Sequence, residues 1–84
     1  VRLVFEDGGW EDRTSWLTDD RKVLARINKL IEDVLRNPFT GTGEPEPLTY
    51  HLPGAQSRRI DDAHRLVRLV TDRQIIILAA RYHY

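Results

Sequence analysis

The chain has 84 residues and a mass of 9.8 kDa, enough for one domain (1–84) that buries roughly 60–65% of its unfolded surface around a single small core. It contains no cysteine, which excludes disulfide stapling and thiolate zinc sites. Thirteen basic and thirteen acidic side chains give a formal net charge of zero, so no chain-wide basic excess argues for a nucleic-acid partner.

Arg2-Leu3-Val4-Phe5 is apolar and partly β-branched and predicts a first strand, closed by Glu6-Asp7-Gly8-Gly9. A first helix is expected from Trp10 to Leu17, with Asp7 or a glycine near its start. Steps of four and three put Trp10, Thr14 and Leu17 on one face of it. A stronger helix follows, capped by Thr18 or Asp19, and its acidic start suits the positive end of a helix dipole. Val23, Leu24, Ile27, Leu30, Ile31, Val34 and Leu35 make a sustained helical stripe, and Asn37-Pro38 ends it. The opposite face carries Arg21, Lys22, Arg26, Lys29 and Arg36 against Glu32 and Asp33.

Residues 37–54 hold all four prolines and read as an irregular connection far longer than the usual link, the kind that carries function or disorder. Leu48, Tyr50 and Leu52 alternate within it in the manner of a short edge strand. Three strands are expected next: Gln56 to Ile60, His64 to Thr71, and Ile75 to Tyr84, joined by short turns at Asp61-Asp62-Ala63 and Asp72-Arg73-Gln74. The last is apolar on both faces up to Ala80 and reads as a central strand. The fold class is therefore α+β: a small antiparallel-rich sheet covered on one face by two N-terminal helices. The run Ile75 to Ala80 is too short to span a bilayer, and the amino terminus lacks a secretory pattern, so a cytoplasmic protein without membrane contact is expected.

Neutrality hides a local pattern. From Arg58 onward six arginines face only Asp61, Asp62 and Asp72, with no lysine. Arginine suits bidentate contact with carboxylate or phosphate, and it serves equally as cover for apolar strand surface. One reaction class needs neither metal nor thiol: cleavage of RNA by its own 2′-hydroxyl. That chemistry requires a base, a cation for the crowded phosphorane and an acid for the leaving oxygen. Glu46, the arginines and His83 supply the three types. Glu46, between Pro45 and Pro47, needs burial or a like charge such as Glu44 to become a useful base; otherwise it is one exposed loop acid among several. Strand alternation puts Arg81 and His83 on one face, with Tyr82 and Tyr84 on the other, where they stack on bases or cap the core.

The remaining signals carry little chemistry. The histidines lack metal-ligand spacing, Gly41-Thr42-Gly43 lacks the lysine and helix of a phosphate loop, and Ser57 has no triad signature. No metal or cofactor is expected.

Five segments in order carry a resemblance along the whole chain: Asn37-Pro38-Phe39, Gly43-Glu44-Pro45-Glu46-Pro47-Leu48, Ser57-Arg58-Arg59-Ile60, His64-Arg65-Leu66-Val67 and Arg81-Tyr82-His83-Tyr84. In these the chain resembles the YoeB group of the RelE/ParE superfamily, ribosome-dependent mRNA-cleaving toxins of type II toxin–antitoxin pairs. The resemblance implies Glu46 as general base, His83 as general acid and Arg65 as the cation on the transition state. Arg59 would help to hold the scissile phosphate, and Tyr84 would orient the substrate or His83. Thr49 stands at a substrate-binding position where the family often has lysine, and Thr42 and Glu44 likewise replace loop lysines, which weakens phosphate attraction. The implied partners are mRNA on the 70S ribosome, a cognate antitoxin of the YefM type and a second copy of the toxin in a homodimer. The alternative within the superfamily is a non-nucleolytic toxin that inhibits gyrase by binding it. Fold does not choose between them; the trio Glu46, Arg65 and His83 favours the nuclease. A non-catalytic RNA-binding module is a third reading.

Overall fold

The computed structural model describes residues 1–37, 46–47 (backbone) and 55–81. Chain order is β1 (Arg2–Phe5), α1 (Asp7–Asp19), α2 (Arg21–Arg36), β2 (Glu46–Pro47), β3 (Ala55–Arg59), β4 (Arg65–Val70) and β5 (Gln74–Ala79). The strands form one sheet in the order β1-β5-β4-β3-β2. Among the described residues only the β1–β5 pair is parallel, with Leu3 opposite Ile75 and Phe5 opposite Ile77. The other three pairs are antiparallel, so the expected α+β layering holds, and β5 lies inside the sheet as its two-faced apolar pattern requires.

The first helix is longer than its pattern predicts and buries a different face. It starts at Asp7 rather than Trp10, so both glycines are helical. A Cβ on Gly9 would stand 2.3 Å from the Ile77 carbonyl oxygen, so glycine there lets α1 lie directly on the β5 backbone. The expected face of Trp10, Thr14 and Leu17 is corrected: Trp10 and Leu17 are about half exposed, whereas Trp16 is in the core. The Trp16 indole Nε1 donates to the Ala80 carbonyl at 3.0 Å, tying the helix to the end of β5. Close approach through glycine, which leaves no apolar signature, decides which side of α1 faces inward.

The second helix follows its stripe. Ile27, Leu30, Ile31 and Val34 are buried against Ile60, Leu66, Ile75, Ile77 and Ala80, with Phe5, Val23, Leu24 and Val70 at the margin. Asp20, one or two residues beyond the expected cap, accepts from the Lys22 backbone N–H at 3.0 Å, and Leu35 is at the surface. Two side chains close the expected turns. Asp61 Oδ1 accepts from the N–H groups of Ala63 and His64, and Thr71 Oγ1 accepts from those of Arg73 and Gln74.

Two strand boundaries differ from expectation. Within the proline-rich connection Glu46–Pro47 pairs with β3, while the alternating Leu48, Tyr50 and Leu52 lie outside the described residues. β5 ends at Ala79, with Ala80 and Arg81 in a bend. The register also shifts between Val67 and Arg68, so that Val67 faces Ala79 while Arg68 faces Ile77. Arg81 is thus outside the strand, and His83, with which it was expected to share a face, lies outside the described residues. Among the described residues no helix is long and apolar enough to cross a membrane.

Candidate active site

The β3–β4 register sorts the arginines by function. Arg58 faces Leu66 and Gln56 faces Arg68 on the helix-covered side; Ser57 faces Val67 and Arg59 faces Arg65 on the other, because alternate residues share a face. Arg58 and Arg68 are fully buried. The Arg58 guanidinium donates to Asp33 Oδ2 on α2 and to the Asn37 carbonyl where that helix ends. Arg68 Nη2 donates to Gln56 Oε1 at 2.8 Å. Burial, and then the neighbouring Arg58 charge, lower the Arg68 pKa to about 10. Arg58 thus ties the sheet to α2, and Arg68 links β4 to β3 within the sheet. Of the two readings left open for these arginines, Arg58 and Arg68 follow the structural one.

Two others also have structural partners. Arg26 Nε donates to the Ile60 carbonyl. Arg81 bonds Ser15 Oγ and Asp19 at 2.7 Å each and lies 4.1 Å over the Trp16 ring, on the α1 side. The His64 ring packs edge-on against Trp16 at 4.8 Å.

The far face carries the two arginines expected at the site. Arg65, half-buried, donates from Nε to Ser57 Oγ at 2.7 Å and from Nη2 to the Ser57 carbonyl at 3.5 Å. Arg59, exposed, is its direct partner across the ladder. Like charges set opposite one another repel, and an anion between two guanidinium forks relieves that repulsion while accepting bidentate hydrogen bonds. On the other side of β3 the β2 ladder sets Glu46 opposite Ser57. Three adjacent strands, at about 4.8 Å spacing, therefore bring positions 46, 57, 59 and 65 to one face near the β2 edge.

Of the residues expected at the site, Arg59 and Arg65 are on this face with their side chains described, and Glu46 joins them by its backbone register. Thr49, His83 and Tyr84 lie outside the described residues. Sequence reasoning passed over Ser57, which was set aside as a nucleophile although it is the hydroxyl that holds Arg65. Two-residue alternation through Ser57-Arg58-Arg59 was the available signal.

Solved structures share this architecture. The chain aligns over its full length with a YoeB/ParE toxin from Agrobacterium tumefaciens at TM-score 0.94 and 36% identity, covering all of that chain. It aligns with the YoeB dimer from Staphylococcus aureus at TM-score 0.92 and 38% identity, covering 98% of that chain. Two N-terminal helices packed on a mostly antiparallel sheet are the fold of the RelE/ParE toxin superfamily. The family described as "YoeB-like toxin of bacterial type II toxin-antitoxin system" matches residues 5–84. Toxin YoeB of Streptomyces coelicolor is 56% identical, and that of Escherichia coli K12 45% identical, each over 100% of both chains. The chain belongs to this YoeB-like toxin family.

Proposed function

We propose that this toxin is an endoribonuclease that cuts mRNA in the ribosomal A site by metal-independent attack of a 2′-hydroxyl. Glu46 takes the 2′-hydroxyl proton as general base. The resulting oxygen attacks the adjacent phosphorus, and negative charge grows on the non-bridging oxygens. Arg65 neutralises that charge, with Arg59 holding the phosphate beside it. His83 donates a proton to the departing 5′-oxygen, Tyr84 orients His83 or the substrate, and Thr49 lines the substrate path. The products are a 2′,3′-cyclic phosphate and a 5′-hydroxyl.

The observation that carries this reading is the common face of Glu46, Arg59 and Arg65 set by two antiparallel ladders. A cation fixed before the reaction stabilises developing charge without reorganising during it. A gyrase-binding toxin needs no such grouping. Complexes described as YoeB–YefM from Staphylococcus aureus, and the YoeB dimer from that organism, support a YefM-type antitoxin and a homodimer here as well. A ribosome-borne substrate puts the activity in the cytoplasm.

The test is a ribosome programmed with a defined mRNA. Added protein is expected to break the mRNA at the A-site codon and leave a 2′,3′-cyclic or 3′-phosphate end. Intact mRNA with arrested translation would mean a binding module, and intact mRNA with normal translation would favour the gyrase-type alternative.

A further inference from the structure

We propose that Ser57 is a positioning residue for Arg65: its hydroxyl aims the guanidinium at the reacting phosphate. The proposal rests on the nuclease reading above and adds a residue to its machinery.

Ser57 is an unusual resident of its place. It is 1% exposed in the middle of β3, at a position flanked two residues away by Ala55, also buried, and Arg59, exposed. An apolar side chain there would satisfy the packing. A buried hydroxyl instead requires a polar partner, and Arg65 Nε provides one at 2.7 Å. The Ser57 carbonyl takes a second, longer contact from Nη2. Both contacts fall on the Nε–Nη2 edge of the guanidinium, whose five N–H groups have fixed mutual geometry. Holding that edge sets the plane of the fork and the direction of its Nη1–Nη2 end. Arg65 is a long side chain with large rotamer freedom, and the hydroxyl narrows the orientations open to its charge. An oriented cation lowers the barrier more than a mobile one, because ordering is complete before the substrate arrives.

The ladders give Ser57 a second connection. It is the residue opposite Glu46 in β2–β3 and a diagonal neighbour of Arg65 in β3–β4. A single buried position on the central strand of this trio thus links the strand carrying the base to the strand carrying the cation.

Ser57→Ala tests this with two readouts. In nitrogen-15-edited NMR of the protein without ribosomes, the Arg65 Nε–H, assigned by its loss in Arg65→Lys, is expected to be shifted from the exposed-arginine average and slow to exchange. In Ser57→Ala it should move to that average and exchange rapidly. An unchanged shift and exchange rate would overturn the contact. On saturating programmed ribosomes, single-turnover cleavage should fall roughly tenfold, the scale of one hydrogen bond to a charged group. The half-saturating ribosome concentration should stay within about twofold. An unchanged rate, or a loss confined to half-saturation, would overturn the positioning role while leaving the nuclease reading intact. Intact mRNA with the wild-type protein would instead overturn the nuclease reading and the proposal with it.

Discussion

Among the arginines, identity says less than the face of the strand each one occupies. Arg65, half-buried with its Nε on Ser57, is suited to a transition-state cation; Arg58, fully buried on Asp33, is suited to structure. Arg65→Ala, Glu46→Ala and His83→Ala are each expected to lower single-turnover cleavage by roughly 10²-fold or more, read on saturating programmed ribosomes with thermal melting as the fold control. Arg58→Met should act on stability instead. It leaves the Asp33 carboxylate and the Asn37 carbonyl without their donor, at a cost of about 3 kcal/mol. For a domain this small that lowers the melting midpoint by more than about 10 °C.

Arg68 has a pH signature of its own. Its folded pKa of about 10 lies below the ordinary guanidinium range, so above about pH 10 the folded state binds fewer protons than the unfolded state. The burial penalty on its charge is in force at neutral pH and is relieved as pH rises through about 10. Wild-type stability relative to Arg68→Met should therefore rise from pH 9 to pH 11, with a slope of at most about 1.4 kcal/mol per pH unit. Urea unfolding of the two proteins at matched pH measures that difference, and a flat difference would contradict it.

At the scale of elements, α2 is a helix that its own sequence dictates, whereas α1 is a helix that its neighbour dictates. The α2 stripe and its end at Asn37 were legible from spacing, whereas the cap, expected at Thr18 or Asp19, is Asp20. In α1 the same rules chose the wrong face. Trp10 and Leu17 have the right spacing, yet the inward side is made by Gly9 and Trp16. The two glycines make opposite predictions. A Cβ on Gly8 would meet nothing closer than 3.7 Å, so Gly8→Ala should gain up to about 1 kcal/mol of helix propensity. A Cβ on Gly9 would run into the Ile77 carbonyl at 2.3 Å, so Gly9→Ala must displace α1 and should lose about 1–3 kcal/mol despite its better propensity. Melting midpoints that move in opposite directions are the expected result.

Across the whole molecule the two layers meet at the end of β5. Trp16 donates to the Ala80 carbonyl, Asp12 Oδ2 accepts from the Ala80 N–H at 3.0 Å, and Arg81 joins Ser15, Asp19 and the Trp16 ring. The residue two positions further on is His83, the proposed acid. Arg81→Gln removes the charge that fixes this junction while leaving Glu46, Arg65 and His83 unchanged. It is expected to slow cleavage by about tenfold or more, since displacing a reacting group by about 1 Å can cost 10²-fold. Single-turnover rates with the melting midpoint held under watch separate that effect from unfolding.

By itself the sequence determined the element types, the α+β class and the α2 core stripe, because periodicity, capping and turn chemistry are local. Its neutral charge proved to be a sum that conceals a sorting of arginines between two sheet faces. Only the tertiary structure decided the inward face of α1, the pairing of Glu46–Pro47 with β3, the bend that ends β5, and the division of arginines between buried Arg58 and Arg68 on the helix-covered face and Arg59 and Arg65 on the other. Each of these depends on which backbone lies beside which. Strand register and close helix–sheet approach join residues far apart in the chain, and no local pattern records them.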